Sequence, residues 1–99
     1  MAYQQSYAQM MNVENIALIV ESLAGADPLA ASRTRPVVEA RCILVAALRS
    51  QGWTETAAGE AIGFNHSTIH HYGEMLSDAR LYNPALWAKW MKLKKILEI

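Results

Sequence analysis

The chain has 99 residues, 53% of them hydrophobic, with nine basic and nine acidic side chains and a formal charge of zero. That length supports one small core rather than two, and no apolar run approaches the ~20 residues that a membrane span needs. Zero net charge excludes a protein that coats nucleic acid by bulk charge, and the single cysteine, Cys42, excludes an internal disulfide framework or a multi-cysteine zinc site.

From the amino terminus, Tyr3 to Leu23 reads as helical, with Ile16, Ile19, Val20 and Leu23 on one face and Gly25 just past the end. Asn12 is placed to cap the second half, which leaves residues 1–11 as a separate helix or an arm, with Met10 and Met11 as packing residues. No basic leader precedes the apolar cluster and Glu21 follows it, so no secretory signal is expected and the chain reads as cytoplasmic. Ala24 to Ser32 forms a connector in which Asp27-Pro28 breaks the helix and the Ala/Ser-rich run after it has little to bury. It divides the chain into an amino-terminal helix and connector, 1–31, and a compact unit, 32–99.

Thr34-Arg35-Pro36 opens the next helix, because a threonine can cap it and a proline in the first turn forfeits no internal hydrogen bond. Over Pro36 to Arg49, the residues Val37, Ala40, Ile43, Leu44, Ala47 and Leu48 form a buried stripe. Arg41 and Arg49 then fall towards solvent, and Cys42 is a small core residue. Gln51-Gly52 ends this helix. Thr54 caps a short one to Ile62, with Trp53 as a staple and Ala57, Ala58 and Ala61 small enough for close helix contact. Gly63 supplies a left-handed turn and Asn65 caps a helix from His66 to Ala79, with Ile69, Tyr72, Met75 and Leu76 facing the core. Asn83-Pro84 starts the last helix, which carries Leu86, Trp87, Trp90, Met91, Leu93, Ile96 and Leu97. No segment alternates as a strand does, so the fold class is all-α.

The stretch from Gly59 to His71 is a short helix, a glycine turn and a second helix fronted by polar residues, which is the layout of a helix-turn-helix. Asn65, His66, Ser67 and Thr68 can hydrogen-bond base edges and phosphates, although the same residue types also serve as ordinary helix caps. Charge is uneven along the chain. Arg33, Arg35, Arg41 and Arg49 make residues 32–49 basic against Glu39 alone, and Lys89, Lys92, Lys94 and Lys95 make the tail basic. Glu55, Glu60, Glu74 and Asp78 make the helix-turn-helix acidic, which opposes phosphate contact.

Three strings resemble one family. Ala40-Arg41-Cys42-Ile43-Leu44 follows a basic loop, Ala57 to Gly63 occupies a short helix with its turn, and Asn65-His66-Ser67-Thr68-Ile69 opens the next helix. Together, Arg33 to Glu74 resemble the carboxy-terminal DNA-binding domain of the bacterial replication initiator DnaA, with the His-Ser-Thr string the most specific part. The resemblance implies a Trp-repressor-like helical bundle with flanking terminal helices, and double-stranded DNA as partner. By position it implies base contacts from Asn65, His66, Ser67 and Thr68, a minor-groove arginine at Arg33, and phosphate contacts from Arg35, Arg41 and His71.

Departures from the family sharpen these expectations. Asn65 stands where the family has Asp, exchanging an acceptor for a mixed donor and acceptor. Phe64 stands where an arginine adjoins the turn, and Glu74 and Met75 replace a basic pair. No glycine-rich Lys-Ser/Thr phosphate loop occurs in the 99 residues, so no nucleotide is expected as partner and the chain is not a complete ATP-driven initiator.

Other chemistry has little to stand on. His66 and His70 lie four apart, but without the intervening glutamate of a zinc-peptidase helix, so no metal and no other cofactor is expected. No Gly-x-Ser-x-Gly elbow or oriented Cys-His arrangement occurs, which argues against an enzyme. Trp53, Trp87 and Trp90 read as core or interface anchors rather than stacking platforms. The competing expectation is an interaction module that has lost its DNA face and forms a homodimer through apolar stripes on residues 1–23 and 85–99.

Overall fold

The computed structural model describes residues 12–99, which form five helices: α1 Val13–Ala24, α2 Arg35–Ser50, α3 Glu55–Ile62, α4 His66–Tyr82 and α5 Pro84–Leu97. There is no strand among the described residues, so the all-α class holds. Expectations for residues 1–11 lie outside the described residues.

Local chemistry sets most of the boundaries. The Asn12 side chain accepts from the Asn15 amide at 2.8 Å, Thr54 from Ala57 at 3.0 Å and Asn65 from Thr68 at 2.8 Å. Each thereby satisfies one of the amides that a helix start leaves unpaired. Thr34 departs from this pattern. It precedes α2 without a side-chain cap bond, because its hydroxyl meets Ser32 Oγ at 3.2 Å and Pro36 has already removed one unpaired amide. α4 runs three residues further than the spacing suggested, to Tyr82. Asn83 both closes it and caps α5, accepting from the Leu86 amide at 3.2 Å.

α2 is the central element and packs against each of the other four helices. Its buried residues include Cys42 and Val45 besides the expected stripe, so it is enclosed on more than one face. A helix that buries only one stripe needs only one neighbour, whereas α2 is apolar widely enough to organise the bundle. Ile16, Ile43, Leu44, Leu48, Ile69, Leu93 and Leu97 are fully buried, each worth roughly 1.5–3 kcal/mol of transfer free energy. No helix is long and apolar enough to cross a membrane among the described residues.

The connector at residues 24–32 does not separate two packing units. Val13, Ile16, Ala17 and Val20 of α1 belong to the same core cluster as α2, α4 and α5. Pro28 is fully buried, whereas none of the residues 29–32 that follow it is. Apolar α1 must cover some surface, and the turn at 25–34 folds it back onto α2 and α5.

Candidate nucleic-acid interface

α3 and α4 pack closely around a turn built on two glycines. Gly63 has φ 85°, a left-handed conformation that side chains with a Cβ rarely adopt. Its amide and that of Phe64 both donate to the Gly59 carbonyl, at 2.8 and 2.9 Å. This double closure draws the Phe64 backbone against Gly59, where a β-carbon would overlap the Phe64 carbonyl oxygen. Gly59 and Ala58 are the buried small residues of α3, whereas Ala61 is exposed.

Directly after the turn, Asn65, His66 and Ser67 are exposed and Thr68 is half-buried. Because Asn65 Oδ1 accepts from the Thr68 amide, its free group is the donor amide. A donor so placed suits the N7 and O6 acceptors of guanine, the O4 of thymine or a phosphate oxygen. The solvent side of α4 has two flanks. His71, Met75 and Asp78 border one hollow, His70 and Gly73 border a groove of about 480 Å³ towards Trp87 and Trp90 of α5, and Glu74 and Ser77 lie between and border both.

The arginine loop lies beside the turn. Arg33 is exposed and shares a hollow of about 300 Å³ with Ala31, Ser32, Arg41 and Phe64. With Arg35 it also borders a cleft of about 580 Å³ that reaches Met75, Asp78 and Tyr82. Arg33 therefore stands on the His71 side of α4, with Asp78 as an acidic neighbour across the cleft. Arg35 is exposed but engaged, its Nε donating to Glu39 Oε2 at 2.9 Å. The same carboxylate oxygen accepts from Asn83 Nδ2 at 3.0 Å.

Arg41 is buried, unlike the solvent-facing arginine expected from the spacing. Rather than holding a free guanidinium out for phosphate, it is 3% exposed. Its Nε donates to the Pro28 carbonyl at 3.0 Å and its Nη2 to the Ala30 carbonyl. The guanidinium carbon lies 4.9 Å from the centre of the Phe64 ring. Helical spacing puts Arg41 off the α2 stripe correctly, but the folded-back connector covers that side of α2. A guanidinium that is 3% exposed, with two carbonyls and a ring face already engaged, offers little surface to a phosphate.

His70 is exposed and makes contacts that helical spacing alone does not show. Its Nδ1 lies 2.8 Å from Glu55 Oε2 on α3, and its Nε2 lies 3.7 Å from Glu74 Oε2 on α4. The hydrogen bond and charge of Glu55 raise its pKa above 6.5, Glu74 adds to the shift and Arg49 opposes it. Glu55 and His70 are fifteen residues apart, so only the α3–α4 packing reveals the pair. No group of three or more His, Cys, Asp or Glu side chains able to hold a metal ion occurs among the described residues. Cys42 is buried at the heart of α2, and burial, with Glu39 adding to it, pushes its thiol up to about 12. Comparison of the chain with protein-family models, curated proteins and solved structures finds no match.

Proposed function

We propose that this chain binds double-stranded DNA sequence-specifically, as a Trp-repressor-like, initiator-type helix-turn-helix module acting in replication initiation or its regulation. In this reading Asn65, His66, Ser67 and Thr68 meet base edges in the major groove, Arg33 enters the adjacent minor groove, and Arg35 and His71 touch phosphates. The observation that carries it is the placement of Arg33 beside Phe64, one residue before the exposed polar front of α4. A loop arginine and a polar helix start on one edge suit two adjoining grooves of a duplex.

The acidic groups on this face set the expected strength. Glu60 and Glu74 are exposed, Asp78 adjoins the Arg33 cleft, and Arg35 is shared with Glu39. Affinity is therefore modest and sensitive to salt, since few phosphates are neutralised. Selection from a pool of random duplexes at low salt tests the reading. An enriched motif is expected, and a pool that stays random contradicts it.

A second reading, a homodimerising helical module without DNA binding, is favoured by the exposure of Leu18 on α1 and of Met91 and Ile96 on α5. Sedimentation over a concentration series tests it: a dimer with no duplex enrichment supports this reading, and a monomer that enriches a motif supports the first.

A further inference from the structure

We propose, on the strength of the DNA-binding reading above, that Arg41 is a positioning residue that sets the spacing between the arginine loop and the front of α4. The chain would then recognise its two groove elements only at one fixed separation.

The contacts of Arg41 run without a gap between these two parts. On one side its guanidinium holds the carbonyls of Pro28 and Ala30, five and three residues before Arg33. On the other it lies over the ring of Phe64, the residue before Asn65. Phe64 is fixed in turn, its amide bound to the Gly59 carbonyl at 2.9 Å and its ring edge-on to Tyr72 of α4 at 5.8 Å. Loop, Arg41, Phe64 and α4 thus form one connected path, all anchored on the central helix.

The chemistry of Arg41 suits a spacer rather than a binder. It is a buried cation that makes no ion pair among the described residues, and burying such a charge is costly unless its donors are satisfied. Two carbonyls take an Nε and an Nη2 proton while the plane lies over an aromatic face, and a planar fork reaches all three at once. Lysine, a single point charge on a flexible stem, cannot hold the carbonyls and the ring together.

Duplex DNA makes spacing readable. One inserted base pair moves a groove element by roughly 3.4 Å along the axis and rotates it by about a tenth of a turn. A rigidly spaced pair of contacts cannot follow that displacement, whereas a loop released from the turn can.

The test uses the duplex selected by the wild-type chain and versions with one or two base pairs inserted between the bases read by α4 and the flanking minor-groove tract. Binding is measured for the wild type, Arg41→Lys and Phe64→Leu, with folding checked by circular dichroism. The wild type should lose about tenfold or more on insertion, comparable to a mismatched base pair. The folded variants should bind the parent duplex several-fold more weakly but tolerate insertion to within about twofold, as expected when the groove contacts are no longer rigidly held. A folded variant that keeps the wild-type insertion penalty overturns the spacer, as does one that loses affinity equally on selected and random duplexes. If Arg41→Lys does not fold, Phe64→Leu, which leaves both carbonyl bonds in place, decides the matter. Absence of any wild-type binding to the parent duplex would refute DNA binding itself, a result separate from loss of the spacing effect.

Discussion

Gly59 and Phe64 approach so closely that any β-carbon at position 59 would overlap the Phe64 carbonyl oxygen and lie 3.3 Å from Cγ1 of Ile69. The obstruction is backbone, which cannot rotate away as a side chain can. Gly59→Ala should destabilise the fold by about 1–3 kcal/mol, the usual cost of overpacking. Gly73 is the contrast, an exposed glycine within α4 whose added β-carbon would meet nothing within 4 Å. Gly73→Ala should stabilise by about 0.5–1 kcal/mol, because it reduces the freedom of the unfolded chain at no steric cost. Denaturant melts of both variants check the opposite signs, and equal effects would contradict the packing described.

The His70–Glu55 contact makes stability depend on pH. Folding raises the His70 pKa above 6.5, so it favours the protonated ring, and Glu55 is the main cause. The stabilisation is fully present below about pH 6.5 and is lost as pH rises through the raised folded value. His70→Gln should therefore be less stable than the wild type in mild acid and match it in mild alkali. NMR titration should also show the His70 pKa falling in Glu55→Gln. A difference between wild type and His70→Gln that does not change with pH would contradict this account.

Cys42 should be inert in the folded chain. Burial, aided by Glu39, holds its thiol near 12, and the thiolate is the reactive form. Alkylation at neutral pH should proceed only through unfolding, so its rate should rise along the denaturation curve. Rapid labelling of the native chain would show that α2 is less enclosed than described.

Glu74 occupies the centre of the exposed face of α4, beside His70 and bordering the hollow that contains His71. If DNA lies against this face, Glu74→Lys replaces repulsion by attraction. Affinity should increase, and the slope of log affinity against log salt should steepen by about 0.9 for the phosphate newly neutralised. An unchanged slope would place the duplex elsewhere on the molecule.

The helices were legible in the sequence because caps, glycine stops and apolar spacing are local. Asn12, Thr54, Asn65 and Asn83 each begin or end an element as their chemistry suggests. Arg41 was misplaced because helical spacing says which side of α2 it occupies but not what covers that side. The buried Pro28 and the ring of Phe64 arrive from segments 13 residues before it and 23 after. For the same reason the Asn83–Glu39 and His70–Glu55 pairs left no signal in the sequence, since each joins two helices through a tertiary contact. At the candidate interface, residue types were legible while their availability was not. Asn65 spends its acceptor on a cap and Arg35 shares its charge with Glu39.

The most direct test of the central claim is the affinity of the selected duplex, measured against salt, for the wild type and for an Arg33→Ala, His66→Ala double variant. Both side chains are exposed, so the double variant should remain folded. DNA recognition by this face predicts affinity that falls with salt in the wild type and, in the variant, loss of preference for the selected duplex over a random one. Equal preference in the two proteins would contradict it.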